Sequence, residues 1–425
     1  MIKSYVITID EIDDAADAAE LFREKLAGLK LCKNSFGIIH AHADSVHSGV
    51  YDAVCAVCKE AGLQLAGIAC NLQSSNEQIG ANMFSVMILT GDELEFVCSH
   101  LSEVTGVQKD CEASVRDGYN AVRQKIKGAP KLCLLYTAFA ENRFPCEYID
   151  VITSMSPGLP VFGGVSYAES TYGLHDEVGE EDDVTPQSGH FTLCNGKSSP
   201  DSAVIVLISG DIAPQFFIST FVEESLCAKD IGIVTECDRN KLSKINNVNA
   251  ADFLQKFGFD KNIESSYENM DAGFKTTAFV FECDCEIDCD CDDGSGCRVS
   301  RQNITRTPVE IVNDEVICAG YIKKGAKISL AVSTPELVIG SARETINALK
   351  DSGAKTVLLY SCEGRKIGLY AKPMDELLAI REGLLSEGVN YLAAYVGGEI
   401  CPTTCAISQK ADNNEHNQTL IACVF

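Results

Sequence analysis

Residues 357–402 hold the side chains best equipped for chemistry. An apolar run, Val357–Tyr360, discharges into Ser361, Cys362, Glu363, Gly364 and Arg365, and a second, Tyr391–Val396, ends in Gly397, Gly398 and Glu399. A guanidinium binds a carboxylate with two parallel hydrogen bonds, and a carboxylate can take an ammonium. Arg365 and Glu399 together therefore describe a receptor for an amino-acid zwitterion; the alternative is a structural salt bridge closing the two turns. Asn417 could add an orienting amide or simply cap the last strand. Cys362, beside Gly364 and Arg365, stands where a thiol pKa can be lowered. A cysteine nucleophile also needs a positioned base, and His416 is the one histidine in this part of the chain. Catalysis by Cys362, or by Cys70 upstream, is the alternative to binding.

Other clusters invite metal or redox chemistry. Cys283, Cys285, Cys289, Cys291 and Cys297 lie among aspartates in a segment with two C-x-C spacings. Thiolates bind zinc or iron–sulfur clusters, but these are not the usual C-x2-C knuckles, and an acidic solvated hairpin tip is the competing reading. His40, His42 and Asp44 alternate, which on a strand would put them on one face. Cys401 and Cys405 have the spacing of a redox pair without a convincing helix after them. The 21 cysteines are an odd number spread through apparent strands and helices. That is the pattern of reduced core thiols rather than of a secreted disulfide framework. No cofactor is expected.

These residues need elements to hold them. Met374, Leu377, Leu378, Leu384 and Leu385 recur at helical spacing, so residues 357–399 read strand, polar turn, helix, strand, glycine turn. Two weaker copies lie upstream. In the first, Ser35–Ile39, a helix with Val50, Val54 and Val57 on one face, and Leu63–Ile68 lead to Cys70 and Asn71. In the second, Leu132–Tyr136, a polar turn at 137–142, a short helix and Leu159–Phe162 lead to Gly163, Gly164 and Ser166. Strands joined by a helix are normally parallel neighbours. All these turns would then gather on the carboxyl edges of their sheets, where α/β proteins bind ligands. Further on, Asn313–Asp314 marks a hairpin, and Thr334–Pro335 a helix start with Thr as N-cap. The expected fold is α/β, with repeated strand–helix–strand units in mixed sheets and two lobes, residues 1–224 and 225–425.

Composition narrows the partners. With 46% hydrophobic residues the chain can bury a full core, and a net charge of −26 argues against nucleic acid or an anionic membrane. No apolar run is long enough for membrane insertion and the N-terminus lacks a signal pattern, so a cytoplasmic protein is expected.

The motifs carry a family resemblance. LAGIACN at 65–71, LPVFGGVSYAE at 159–169 and AVIVLISG at 203–210 resemble the N-terminal part of FIST proteins. GYIKKGAKISL at 320–330, LLYSCEGR at 358–365, YVGGEICP at 395–402 and NQTL at 417–420 resemble the C-terminal part. The resemblance implies an intracellular sensory module that binds a small ligand, with amino acids the usual proposal, and not an enzyme. Signalling would pass in trans to a separate output protein such as a histidine kinase, a cyclic-dinucleotide enzyme or a chemotaxis protein. Ile68, Ala69 and Cys70 depart from the family's commoner continuation after Gly67.

Overall fold

The computed structural model describes residues 2–101, 108–140, 143–170, 187–222, 225–259, 276–285, 300–404 and 411–425. One order of elements occurs three times: strand, helix, strand, helix, strand, hairpin, strand. In the first repeat these are Lys3–Ile9, Ala15–Ala27, Ser35–Ala41, Val50–Glu60, Gln64–Ala69, the hairpin Gln73–Ser75/Ile79–Gly80, and Phe84–Thr90. The second runs Leu94–His100, Gln108–Arg123, Pro130–Ala138, Pro145–Met155, Val161–Ser166, Thr192–Cys194/Lys197–Ser199 and Val204–Gly210. The third has Gln215–Thr220, Pro335–Asp351, Thr356–Cys362, Asp375–Leu385, Asn390–Val396, Glu399–Thr404/Ala411–His416 and Thr419–Val424. The short helix Glu363–Gly368 also belongs to this repeat.

Each repeat pairs its strands in the same way. The first strand lies antiparallel to the last, the last antiparallel to the second, and the second parallel to the third. The parallel pairs are those expected from the sequence. Each sheet is completed by a hairpin from a different repeat. The third strand of the first sheet receives Thr192–Cys194, that of the second receives Glu399–Thr404, and that of the third receives Gln73–Ser75. The exchange is cyclic, so no repeat contains its own whole sheet.

Alternation along the strands explains the layering. Phe36, Ile38, Leu134, Phe162, Leu358 and Tyr360 point inward from three sheets into one shared, fully buried core. The opposite faces carry the helices: Phe22 and Val54 over the first sheet, Val115 and Ile152 over the second, Ile346 and Ile380 over the third. Burying each such side chain contributes roughly 1.5–3 kcal/mol. At matching positions Ile39 pairs with Gly67, Leu135 with Gly163 and Leu359 with Ala393. A Cβ on Gly67 or Gly163 would lie 2.0 or 1.8 Å from the neighbouring carbonyl oxygen, so glycine there lets the parallel strands close.

Between Gln215–Thr220 and the helix Pro335–Asp351 the chain builds a separate antiparallel lobe from eight strands spanning Leu226–Val332, among the described residues. Its core includes Val234, Leu242, Phe253, Phe279, Phe281 and Leu330. Asn313 and Asp314 both adopt positive φ, at 52° and 65°, forming the turn of the expected hairpin between Pro308–Val312 and Glu315–Cys318. Thr334 caps its helix by accepting from Leu337 N, with Pro335 in the first turn. Gln215–Thr220, on the N-terminal side of the boundary expected at 224/225, pairs with Thr419–Val424 and belongs to the third sheet. Before Val204–Gly210, the hairpin Thr192–Cys194/Lys197–Ser199 leaves its own repeat and completes the first sheet.

Candidate functional site

The carboxyl ends of the parallel strands do gather on one face. Cys70 bridges Tyr167, Ser166 Oγ donates to Ala69 O at 2.8 Å, and Asn71 Oδ1 accepts from Glu169 N at 2.9 Å. Gly163 and Gly164 pair with Ile400 and Glu399, and Gly398 O accepts from Val165 N at 2.9 Å. These turns stitch one repeat to the next. Most of their side chains are therefore committed to packing.

Arg365 and Glu399 do not act as a pair. Arg365 is wholly buried and its guanidinium faces Glu376, with Nε and one terminal nitrogen at 3.0 and 2.5 Å from Oε1. The same terminal nitrogen reaches Val338 O and Ser341 Oγ, and Ser361 Oγ holds the other Glu376 oxygen at 2.7 Å. The reason is local. The helix Glu363–Gly368 begins at the strand end and turns residue 365 inward, beneath the helix Asp375–Leu385.

Glu399 is also fully buried. Its Oε2 accepts from Thr419 N and Oγ1, at 3.2 and 2.7 Å, while Oε1 has no partner. Burial raises its carboxyl pKa from 4.5 to about 8, against the opposing pull of the Thr419 and Cys362 hydrogen bonds and the more distant Arg365. Cys362 lies beside it, buried, with its thiol pushed well above the ordinary value by desolvation and by the Glu399 charge. The expectation that this cysteine sits in a pKa-lowering setting is overturned by that burial. Cys70 is likewise pushed up by burial and by nearby Glu363. Glu363 pairs with Lys366 but keeps Oε2 unpartnered. A Cβ on Gly364 would strike the Gln418 amide. Asn417 donates to His416 O and leaves Oδ1 without a partner.

The alternating trio His40, His42 and Asp44 does not converge. His40 points into the shared core, where Nε2 lies 3.2 Å from Tyr360 OH, itself 3.2 Å from Tyr136 OH. Burial drives the His40 pKa down to about 3. His40, Tyr136 and Tyr360 occupy matching strand positions, paired with Ile68, Gly164 and Ala394. They form one polar contact at the centre of the three repeats. His42 instead faces Asp44, which accepts from Ser170 at 2.5 Å.

No group of three or more His, Cys, Asp or Glu side chains among the described residues is placed to hold a metal. Cys283 and Cys285 end the strand Thr277–Cys285; Cys289, Cys291 and Cys297, like Cys405, lie outside the described residues.

What the face does carry is a cleft of about 570 Å³ between the strand ends and the inserted lobe. Phe139, Val165 and Gly397 form one wall, and Asn240, Lys241 and Cys318–Gly320 the other. Of the candidate ligand-binding residues named from the sequence, Gly397 alone lines it, although the polar turn at 137–142 contributes Phe139 and Ala140. At its base Glu415, 7% exposed, separates it from a smaller cavity of about 170 Å³ bordered by Cys146, Arg306 and Tyr321. Glu415 Oε2 has no partner, and burial raises its pKa against the pull of Arg306. Arg143 lines the mouth, held by the carboxylate and backbone oxygen of Asp201. Sequence patterns could not reveal these residues, because the cleft is made by strands far apart in the chain.

The two bodies are latched beside the cleft. Arg239, on the turn after Leu226–Asp238, ion-pairs with Glu147 of the helix Pro145–Met155. Its Nε donates to Tyr321 OH, which donates to Glu147 Oε1, both at 2.6 Å. The guanidinium also lies 5.4 Å from the ring centres of Phe144 and Tyr321.

No helix among the described residues is long and apolar enough to cross a membrane. No curated protein matches the chain. Two solved structures of cyanuric acid hydrolase, one of them from A. caulinodans, align over 100% of this chain and 99% of theirs. Their identities are 9% and 8% and both TM-scores are 0.29, too low to carry an argument. The FIST N domain matches residues 35–248 and the FIST C domain residues 250–402. These two matches span most of the chain, which belongs to the FIST family of sensory and signal-transduction domains.

Proposed function

We propose that the chain is a sensor whose small ligand, an amino acid or a related zwitterion, binds in the cleft between the three-repeat body and the inserted lobe. The observation that carries this reading is the cleft itself: it spans two separately built bodies, with the Glu147–Arg239–Tyr321 latch at its side. A ligand touching both walls favours one docking of the lobe over others, and that difference is what a separate output protein can read. Charges of both signs support the ligand class. Arg143 and Lys241 suit a carboxylate, while Glu310, Glu315 and Glu415 suit an ammonium.

Cysteine catalysis is the weaker reading. Cys362 and Cys70 are buried with raised thiol pKa values, and neither lines the cleft. A metal or redox role for Cys283–Cys297 stays a separate proposal, to be decided by metal content after anaerobic purification.

A thermal-shift screen of amino acids and related metabolites tests the sensor. A true ligand at a hundredfold its dissociation constant stabilises by about 2.7 kcal/mol. Glu415→Gln and Lys241→Ala should abolish that shift while each still unfolds in one cooperative transition without ligand. Silence across the screen, or a shift untouched by both substitutions, would sink the proposal.

A further inference from the structure

The thiols of Cys98 and Cys194 face one another outside the candidate site. Cys98 lies on Leu94–His100, and Cys194 ends the strand that the second repeat lends to the first sheet. Their sulfurs are 3.6 Å apart, with Cys194 Sγ donating to Cys98 Sγ. A third group fixes the arrangement. Asn195 and Gly196 form the hairpin turn, both at positive φ (50° and 81°), as an Asn-Gly turn requires. In that turn Asn195 Oδ1 accepts from Leu65 N at 2.8 Å, so its Nδ2 is the atom turned toward Cys98, 3.2 Å from the sulfur.

Cys98 therefore receives two donors while Cys194 supplies one of them. The first thiol is shifted down, chiefly by the Cys194 and Asn195 hydrogen bonds, and the second up by the same contact and by burial. Such asymmetry separates an attacking sulfur from a resolving one. Both cysteines are nearly buried, but Gln64, Leu65 and Asn195, which all contact Cys98, line an open cavity of about 660 Å³. Neither sulfur borders that cavity itself; these three residues stand between it and Cys98, on the route by which a small oxidant would enter. Cys55 borders the same cavity, yet burial pushes its thiol up to about 12.

We propose that Cys98 and Cys194 are a dithiol modification site that closes to a disulfide on meeting a small hydroperoxide. The Cys98 thiolate attacks the peroxide; its S–O bond forms as the O–O bond breaks, and the departing alkoxide or hydroxide takes a proton from solvent. Cys194 then displaces hydroxide from the sulfenic acid. The S–S bond forms, the S–O bond breaks, and the Cys194 proton leaves in water. The two electrons lost by the thiols are those that reduce the peroxide. The product ties the lent hairpin to the body of its own repeat.

The test is peptide mapping of the full chain after brief treatment of the native protein with stoichiometric hydrogen peroxide, acid quenching, and alkylation of the remaining thiols in denaturant. A Cys98–Cys194 linked peptide should appear at least tenfold faster than oxidation of any other described cysteine. In Cys194→Ser, Cys98 should stop at a sulfenic acid trapped by dimedone; in Cys98→Ser neither product should form. Wild-type protein in which both thiols remain alkylatable, or in which Cys194 links to Cys55 instead, would overturn the proposal without reference to how the variants fold.

Discussion

Arg365 and Glu376 are both wholly buried and form a closed pair, the guanidinium Nε 3.0 Å from the carboxylate Oε1. The pair ties the strand end at Cys362 to the helix above it, and Ser361 and Ser341 add hydrogen bonds to it, while Arg365 Nη1 is left without a partner. Arg365 thus serves the third repeat's architecture.

Removing one partner leaves the other as an uncompensated buried charge. Glu376→Ala should therefore cost about 3–5 kcal/mol in equilibrium denaturation, whereas Arg365→Met with Glu376→Leu should recover most of that loss. The ligand proposed for the cleft should bind the double variant normally. A single variant that unfolds at the wild-type midpoint would mean the pair is not stabilising.

Why this was hidden in the sequence is physical. The turn SCEGR shows which residues occupy the strand end, but not that its helix begins at once and swings residue 365 inward. Periodicity did reveal the three strand–helix–strand units, because each has one buried strand face and one amphipathic helix. The lent hairpins were invisible: Gln73–Ser75 and Thr192–Cys194 are three residues each, too short for an alternation signal, and their partners belong to other repeats. The cleft escaped for the same reason, since Phe139, Lys241 and Glu415 meet only after the inserted lobe docks.

Glu399 makes stability depend on pH. Unfolded, its carboxyl titrates at the ordinary 4.5; folded, burial holds it at about 8. Between those values the native chain keeps a proton that the unfolded chain has released. The stabilisation is full below about 4.5 and is lost as pH rises through about 8. Glu363, Glu415 and Asp150 are raised in the same sense, so the comparison needed is between wild type and Glu399→Gln. The variant should gain on the wild type from about pH 5 to pH 8 in thermal melts and level off above that. Parallel curves would show that Glu399 ionises normally.

The latch should control lobe docking separately from overall stability. Arg239 is partly exposed and joins Glu147 and Tyr321 by charge and by ring contact. Arg239→Ala should loosen the lobe, costing about 1–3 kcal/mol of docking through the lost charged hydrogen bonds. Amide exchange should then quicken in Glu315–Cys318 and Pro145–Met155, with little change in Thr356–Cys362. Uniform acceleration across all three segments would point to a global effect instead.

The cyclic exchange of hairpins makes a stronger demand. A fragment of residues 225–425 lacks Gln215–Thr220, which pairs with Thr419–Val424, and Gln73–Ser75, which covers Asn390–Val396. Both flanks of the third sheet are then open edges flanking fully buried apolar strands, the arrangement that invites aggregation. Residues 1–224 in turn lack Glu399–Thr404 against Val161–Ser166. Each half expressed alone should be insoluble or molten, with no cooperative thermal transition. Co-expression should return a soluble complex, because each half carries the strands the other lacks. A 225–425 fragment that melts cooperatively as a monomer would show that the third repeat closes its sheet without the lent strand.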